Sequence, residues 1–275
     1  MYTRILFAVD LEGVNKVVGE PYVGLSKDTP QWIIARDQAA LEINAAADAL
    51  FAAGAETVAV WDNHGGGNNL DPAALDPRVQ LLQVDTKQPR QSFAEGAFDC
   101  ICFFGYHCME GTLGGVLAHT MNSKINQYHK LNGKYIGEVD MDAYIAASHG
   151  MPARFFAGGD LACGQAKHAV KDIVTVTTKK ELSRNEAIPR DNDELLAEIR
   201  EKIVEAITTE AAPVPLTYPA VMEKSFKRVE DAAKYLQRLQ ALGFDSVHPD
   251  DEILGKDGHT VVSTVHNINE FIKSI

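Results

Sequence analysis

Three short apolar runs in the first half of the chain limit its possible folds more than any other feature. They are Ile5–Val9, Thr57–Trp61 and Cys100–Phe104, each followed by polar residues or glycine. Runs of this length that are rich in Val, Ile and Phe are typical of strands buried in a parallel sheet. A helical pattern between the first two implies a right-handed strand–helix–strand unit. The chain is therefore predicted to have an α/β fold, with a mostly parallel sheet flanked by helices.

Side chains that bind metals follow each of these three strands. Asp10 and Glu12 follow the first strand, His64 follows the second, and His107 follows the third. Because the carboxyl ends of parallel strands lie at one edge of the sheet, where α/β proteins bind ligands, we expect these side chains to lie close together. Carboxylate oxygen and imidazole nitrogen together suit zinc or a similar divalent ion. The sequence therefore predicts a metal site at this edge.

Two further residues are candidates for the same site. Glu138 precedes a predicted helix, where a carboxylate is also favoured by the helix dipole alone. His119 follows a glycine-rich turn and is either an acid–base group beside the metal or a hydrogen-bonded core histidine. Each of these side chains has an ordinary structural explanation when taken singly. The metal-site hypothesis depends on their joint placement.

The charges of the candidate ligands favour two ions over one. Asp10, Glu12 and Glu138 carry about three negative charges when ionised, and the two histidines add neutral donors. One divalent ion would leave the cluster anionic, whereas two would leave it with about one positive charge. A slightly positive centre suits the binding of hydroxide and of a developing oxyanion. Asp10, deepest on its strand, is the candidate to bridge the two ions.

The remaining sequence continues the α/β alternation and then changes character. A hairpin is predicted over 127–136 around Asn132-Gly133, the strongest turn signal in the chain. Further strands are predicted at 79–84, 154–157 and 173–178, and helices at 29–53, 139–148, 161–170, 191–209 and 230–242. Ala211–Pro215 is typical of a linker or an extended connection. We therefore expect a metal-binding catalytic domain over 1–208 and a smaller C-terminal α/β lobe over 209–275.

Composition narrows the class of protein. The 275 residues carry a net charge of −12 and no cluster of Lys and Arg, which argues against a nucleic-acid partner. No apolar stretch is long enough to cross a bilayer and no secretory signal is recognisable, so we expect a cytoplasmic protein with no membrane partner. The four cysteines form no C-x-x-C pair and are expected to be small buried residues. Six histidines are expected on the surface or in loops: His129, His149, His168, His248, His259 and His266.

The motifs that carry the candidate ligands resemble those of the M55 family of zinc peptidases, the D-aminopeptidases. The matching stretches are Val9–Gly13, Asp62–His64 with Asn68–Leu70, Phe104–His107, Leu117–Met121, Asn132-Gly133 and Ile136–Glu138. The likeness extends over about residues 4 to 190. It implies that Asp10 bridges two zinc ions, that Glu12 and His107 complete one site, and that His64 and Glu138 complete the other.

The resemblance also implies a catalytic residue and an assembly. His119 would be the catalytic histidine, which the family description treats as a nucleophile. We favour attack by metal-bound water with His119 assisting, because a dizinc centre already supplies hydroxide. The family further implies a homo-oligomer, a decamer of stacked pentamers. The loop Gly65–Gly67 and the acidic residues Asp140 and Asp142 depart from the family pattern, which leaves the preference for D-alanyl peptides open.

The predicted function is that of a dizinc-dependent hydrolase that removes N-terminal residues, D-amino acids such as D-Ala, from short peptides or amides. The substrate's free amine is expected near a carboxylate, either Asp160 or a metal ligand. The alternatives are a dimetal amidohydrolase of a different small amide and a non-catalytic protein that binds a metal or a small ligand on the same fold. A dimetal phosphoesterase is a weaker alternative, because few basic groups lie near the predicted site.

Overall fold

Strands and helices alternate along most of this chain. The computed structural model describes residues 1–83 and 98–275. The strands are β1 Arg4–Val9, β2 Thr57–Asp62, β3 Gln80–Leu81, β4 Cys100–Tyr106, β5 Asn126–Leu131, β6 Lys134–Tyr135, β7 Ala153–Gly158, β8 Val174–Thr177, β9 Lys179–Ser183, β10 Glu186–Pro189, β11 Ala220–Phe226, β12 Ser246–Val247, β13 Asp250–Asp251, β14 Gly255–Lys256 and β15 Thr260–Val265. The helices are α1 Pro30–Ala52, α2 Glu138–Ser148, α3 Asp160–Ala169, α4 Asn192–Thr208, α5 Val229–Ala241 and α6 Ile268–Ser274.

A parallel sheet of six strands forms the centre of the fold, in the order β3-β2-β1-β4-β7-β8. Strand β1 lies between β2 and β4, and Val9 aligns with both Asp62 and Phe104. The three strands therefore end at the same level. Helices lie against both faces of this sheet, and the predicted α/β fold with a mostly parallel sheet is confirmed.

The side chains of β1 divide between two apolar layers because successive residues of a strand point to opposite faces. Ile5, Phe7 and Val9 join a core that includes residues of α1 and α4. Leu6 and Ala8 join a second core that includes residues of α2 and α3. Both layers exclude water from the strand, so the polar groups that follow Val9 leave an apolar interior directly at the edge of the sheet.

Helix α1 begins and ends at residues typical of helix boundaries. The Thr29 side chain accepts a hydrogen bond from Trp32 N, and Pro30 occupies the first turn. Gly54, just beyond the helix, has a φ of +98°, which favours glycine. The alanine-rich interior of this helix is buried, as expected for close packing on the sheet.

A second sheet is antiparallel and has the order β12-β15-β11-β5-β6. The predicted hairpin is confirmed as β5 and β6, with Asn132 and Gly133 both at positive φ. Strand β11, from the C-terminal part of the chain, pairs with β5. Strands from both sides of the predicted boundary at 208/209 therefore share one sheet, and the division into two domains stays a prediction.

Several local expectations differ from the structure. The strand predicted over 79–84 is present only as β3, and its last residue lies outside the described part of the chain. His129 was expected at the surface, which is wrong: it lies on β5 and is 1% exposed, on the same inward face as Leu131. The hairpin of β9 and β10 was not predicted. The four cysteines are free and buried, as expected. None of the helices in the described ranges is long and apolar enough to span a membrane.

Candidate metal centre

The five predicted ligands converge at the carboxyl edge of the parallel sheet. Asp10 and Glu12 come from the end of β1, His64 from the end of β2, His107 from the end of β4, and Glu138 from the first residue of α2. Their ligand atoms form two groups around Asp10, Asp10–Glu12–His64 and Asp10–His107–Glu138, and a third combination, Glu12–His107–His119, also lies within reach of one ion. The first two groups pair Glu12 and Glu138 differently from the family resemblance, whereas the third keeps its pairing of Glu12 with His107, so the assignment of ligands to two ions stays a prediction. Asp10 belongs to both of the first two groups, which is the position that a bridging ligand requires.

Glycines allow the ends of β1 and β4 to approach each other closely. Gly105 has a φ of +68°, and a Cβ atom there would lie 2.0 Å from the carbonyl oxygen of Asp10. A Cβ atom on Gly13 would lie 1.9 Å from the carbonyl oxygen of Tyr106. The Gly13 N–H instead donates to Gly105 O at 2.6 Å. Only glycine fits at either position, and this close approach places the loop of Asp10 beside that of His107.

Lys179 holds the loop that carries Glu12. Its buried ammonium donates hydrogen bonds to the carbonyl oxygens of Glu12, Val14 and Val17. Burial lowers the pKa of Lys179 to about 8, although nearby carboxylates oppose that shift. Sequence reasoning missed this residue because one of two adjacent lysines in a polar stretch gives no signal of burial. The hydrogen bonds fix the backbone from which the Glu12 side chain extends.

The hydrogen bonds of His64 define which of its nitrogen atoms is free to bind a metal. Nε2 lies 3.2 Å from the carbonyl oxygen of Leu25. Since a carbonyl oxygen only accepts, Nε2 carries the proton in the neutral ring. Nδ1 lies 3.0 Å from both Asp10 Oδ1 and Glu12 Oε2. In that form its lone pair faces two carboxylates, an arrangement that favours either a proton or a metal ion on Nδ1.

His107 repeats this arrangement with its nitrogen atoms exchanged. Nδ1 lies 2.9 Å from the carbonyl oxygen of Cys108 and therefore carries the proton. Nε2 is buried and makes no hydrogen bond of good geometry within the described residues. It lies 3.4 Å from Asp10 Oδ2 and 3.6 Å from Glu138 Oε1. A buried nitrogen aimed at two carboxylates in this way suits a metal ligand.

Protons and metal ions compete for these two nitrogen atoms. Burial opposes a positive charge on His64, but Glu12 and Asp10 outweigh that effect and raise its pKa to about 12. Burial also opposes a charge on His107, but Asp10 and Glu138 raise its pKa to about 10. Burial disfavours the Asp10 carboxylate, yet His107 and His64 hold its pKa well below its usual range. The negative charge of the cluster thus favours a bound cation, and its oxygen and nitrogen donors fit zinc.

His119 lies beside this cluster with its free nitrogen facing the cavity. Its ring stacks on that of His107, with centroids 4.0 Å apart and an interplanar angle of 10°. Nδ1 lies 2.8 Å from the carbonyl oxygen of Leu117 and therefore carries the proton in the neutral ring. Nε2 lies 3.9 Å from Glu138 Oε1. This nitrogen is placed to accept or deliver a proton at the cluster.

A cavity of about 260 Å³ opens onto the cluster. Its walls include the candidate ligands Asp10, Glu12, His64 and Glu138, together with His119. The loop 23–26 and the residues Asn63, Lys124 and Arg184 complete much of the lining. A small molecule that enters this cavity therefore meets the carboxylates, His64 and His119 together.

Comparison with known proteins places the chain in a family. The sequence model of Peptidase_M55, described as D-aminopeptidase, matches residues 3–247. The chain belongs to the M55 peptidase family. D-aminopeptidase from Bacillus subtilis (strain 168) is 28% identical to this M55 chain over 187 residues, which cover 66% of the chain and 65% of that relative. This match therefore spans slightly less than two thirds of the relative's own length.

A solved structure shares the fold of this M55 protein. It is described as the Zn-dependent D-aminopeptidase DppA from Bacillus subtilis, a self-compartmentalizing protease. The two chains superpose with a TM-score of 0.83 and 24% sequence identity, and the alignment covers 98% of this chain and 94% of that one. Membership of the family, predicted from the motifs, is confirmed, and the shared fold extends beyond residue 190, where the sequence likeness decreases.

Asp62 orders a loop of this M55 chain rather than facing the cavity. Its carboxylate accepts hydrogen bonds from Asn69 N at 2.5 Å and Leu70 N at 3.0 Å. The Asn69 side chain donates to the carbonyl oxygen of His64 at 2.7 Å. Trp32 Nε1 in turn donates to Asn69 Oδ1. Asp62 thus positions the loop from which His64 extends.

Three other acidic residues also have structural partners. Asp140 accepts a hydrogen bond from Gly137 N at 2.8 Å, at the start of α2. Asp142 accepts one from the Tyr106 hydroxyl at 2.7 Å. Asp160, suggested as a partner for the substrate amine, accepts one from Glu181 N at 2.8 Å and does not line the cavity described above. The carboxylates available to a substrate amine there are the candidate ligands.

Proposed function

We propose that this chain is a zinc-dependent aminopeptidase that acts on short peptides or amides with an N-terminal D-residue such as D-Ala. The observation that carries the proposal is the orientation of His64 Nδ1 and His107 Nε2. Both lone pairs face carboxylates that are linked through Asp10, beside a cavity lined by His119. Membership of the M55 family and the fold shared with a protein described as Zn-dependent support the reading.

The donor set supports two ions in each chain. Asp10, Glu12 and His64 would hold one, and Asp10, His107 and Glu138 would hold the other. Three carboxylates and two neutral imidazoles leave a charge of about +1 with two divalent ions. Zinc bound there would polarise the scissile carbonyl and lower the pKa of the attacking water toward ~7.

His119 would transfer the proton that peptide hydrolysis has to move. Its Nδ1–H is fixed on Leu117 O, and Nε2 faces the cavity in the form that accepts a proton. Nε2 takes a proton from water as the new C–O bond forms. It then delivers that proton to the amine nitrogen as the C–N bond breaks. Stacking on His107 limits rotation of the ring and keeps Nε2 directed at the reaction. We prefer this acid–base role to that of a nucleophile.

The solved relative also bears on the oligomeric state of this chain. The solved relative is described as a self-compartmentalizing protease. We infer that this chain also forms a homo-oligomer, a decamer by resemblance to its family, and that it acts in the cytoplasm. Ten chains of 30.0 kDa would give a particle of about 300 kDa in light scattering. A monomer in solution at micromolar concentration would contradict the assembly without affecting the chemistry.

A panel of substrates tests the activity. The protein is loaded with zinc, its metal content is measured, and release of D-Ala is followed from D-Ala amide and D-Ala-D-Ala, with the L-forms as controls. We expect about two zinc ions per chain and faster hydrolysis of the D-substrates. If zinc-, manganese- and cobalt-loaded protein all leave the panel intact, the proposed activity is wrong. Hydrolysis of the L-forms alone would support the proposed aminopeptidase activity but overturn the proposed preference for D-residues.

A further inference from the structure

The cavity at the metal centre is lined by acidic and by basic residues. Asp10, Glu12 and Glu138 contribute carboxylates, and Lys124 and Arg184 contribute cations. Few basic groups were expected near the site from the sequence, and the chain carries a net charge of −12. The two cations on the cavity wall are therefore a finding of the structure.

Neither cation has a carboxylate partner in the described ranges. Arg184 Nη1 donates a hydrogen bond to the carbonyl oxygen of Ala118 at 2.7 Å, and the backbone of Arg184 accepts one from Leu117 N at 2.9 Å. These contacts anchor Arg184 next to the segment that carries His119. The remaining guanidinium N–H groups make no hydrogen bond with the described residues. An anchored guanidinium with free donors is suited to binding a planar anion such as a carboxylate.

Lys124 lies on a loop whose backbone is held while its ammonium is free. Its backbone N–H donates to Asn122 Oδ1 at 2.9 Å. Lys227 Nζ donates to the carbonyl oxygen of Ser123 at 2.7 Å, which ties the loop to the C-terminal part of the chain. No acidic side chain in residues 1–83 or 98–275 forms an ion pair with Lys124 Nζ. Its charge is therefore available to a ligand in the cavity.

The distribution of charge matches a particular class of substrate. A short peptide with free ends is a zwitterion, with an ammonium at one end and a carboxylate at the other. The proposed reaction places the N-terminal residue at the carboxylates of the metal centre, which leaves the C-terminal carboxylate to the two cations that line the same cavity. At about 260 Å³, the cavity is smaller than the pockets of about 300–1,000 Å³ that hold drug-sized ligands. It therefore favours a peptide of few residues.

We propose that Lys124 and Arg184 bind the C-terminal carboxylate of the substrate, so that the preferred substrates are very short peptides with a free C-terminus, dipeptides first. This inference rests on the proposed function and deepens it. The Arg184 guanidinium binds the carboxylate from a fixed position beside His119, and Lys124 adds a mobile second charge. A peptide whose C-terminus is amidated loses both interactions. Longer peptides place their carboxylate beyond the two cations.

Kinetics and binding together test the inference. The kcat/KM of zinc-loaded enzyme is measured for D-Ala-D-Ala and for its C-terminal amide. In parallel, calorimetry gives the affinity for a reduced D-Ala-D-Ala isostere, in which CH2–NH replaces the peptide bond, and for the amide of that isostere. We expect a preference for the free acid of at least about fivefold in both ratios, since a charge-assisted hydrogen bond is lost with the amide. The preference should decrease as salt is added.

Variants assign the preference to these residues. Lys124→Gln should lower the acid-to-amide ratio about twofold or more, mainly through KM, with Arg184 keeping part of the preference, and Lys124→Glu should abolish or reverse it. Lys134→Gln is the matched control, an exposed lysine outside the cavity, and should keep the wild-type ratio. Equal affinity for acid and amide, or a ratio unchanged in Lys124→Glu, overturns the inference. Calorimetry decides the question even if neither peptide is hydrolysed, in which case only the proposed activity fails.

Discussion

His119 differs from the two candidate ligand histidines in what its free nitrogen faces. Nδ1 of His64 and Nε2 of His107 are each directed at two carboxylates within 3.6 Å. Nε2 of His119 has one carboxylate, at 3.9 Å, and its ring lines the cavity. The first two nitrogen atoms are therefore placed to share a cation with acids, whereas the third is placed to exchange a proton with a substrate.

Replacement of His119 should separate catalysis from metal binding. We expect His119→Ala to lower kcat on D-Ala-D-Ala by about 10²–10⁴-fold, the usual contribution of a general acid–base group. The zinc content should stay at the wild-type value, because the two ligand groups formed around Asp10 do not include His119. Metal analysis of the same preparation gives that second measurement. His149→Ala, at an exposed residue after α2, is the control and should leave both values unchanged.

Two results for His119→Ala would revise the role assigned to His119. Loss of zinc in His119→Ala would make His119 a ligand, which the third combination of ligand atoms, Glu12–His107–His119, permits geometrically. Unchanged kcat would remove it from the chemistry.

Glu42 is a buried carboxyl group whose ionisation opposes folding. It lies on α1, and its Oε1 accepts hydrogen bonds from Asn15 N and Gln38 Nε2, whereas Oε2 has no partner in the described ranges. Burial raises its pKa to about 7, although these hydrogen bonds and the charges of Lys179 and Lys16 oppose the shift. The unfolded chain releases this proton near the ordinary value of 4.5, so the folded state holds one more proton between pH 4.5 and 7.

Because the folded state holds the extra proton, the contribution of Glu42 to the free energy of unfolding decreases as pH rises from 4.5 to 7. Glu42→Gln imitates the protonated form. We expect its free energy of unfolding, relative to that of wild type, to increase by about 3 kcal/mol between pH 4.5 and pH 8. Urea unfolding of both proteins at several pH values measures the difference, and effects common to both cancel. Exposed Glu210→Gln is the control and should follow wild type. A constant difference between Glu42→Gln and wild type across the window would show that Glu42 is ionised throughout.

At the scale of elements, the close approach of the loops that follow the neighbouring strands β1 and β4 brings their end residues together. Both loops pass within van der Waals distance at Gly13 and Gly105, and the hydrogen bond from Asp10 N to Phe104 O continues the pairing to the edge of the sheet. A side chain there would push Asp10 away from His107. The geometry of the metal centre therefore depends on two positions that bind nothing.

Gly105→Ala should lower the free energy of unfolding by much more than its left-handed backbone conformation alone explains. Gly150 supplies the control, because its φ of +78° is similar and a Cβ atom there would meet open space. We expect Gly150→Ala to lower the free energy of unfolding by about 1–2 kcal/mol, the usual cost of left-handed backbone. Gly105→Ala should lower it by several kcal/mol more, or yield insoluble protein, and reduce zinc binding in any soluble fraction. Similar values for the two variants would show that the strand ends separate without difficulty.

At the scale of the whole molecule, the parts of the structure that followed from sequence are those set by local patterns. Apolar runs predicted the parallel strands, and Asn132-Gly133 predicted the hairpin. Four of the five candidate ligands, Asp10, Glu12, His64 and His107, could be proposed because each follows such a strand, whereas Glu138 begins α2. Lys179 and the pairing of β11 with β5 were not predicted, because both depend on contacts between residues distant in sequence. The pairing of ligands around Asp10 likewise depends on how loops from separate strands fold back, which spacing along the chain does not encode.

Zinc at this centre would join four separate elements, since its ligands come from β1, β2, β4 and the start of α2. Without a metal ion, protons on His64 and His107 offset only part of the charge of the three carboxylates and join none of these elements to one another, so we expect removal of zinc by a chelator to lower the melting temperature and its return to restore it. The shared position of Asp10 makes a sharper prediction. Glu12→Gln and Glu138→Gln should each retain about one zinc per chain, whereas Asp10→Asn should retain less than either, because it belongs to both groups. Metal analysis after dialysis measures these values. One zinc per wild-type chain, or equal losses in all three variants, would contradict the dinuclear centre and leave a single site.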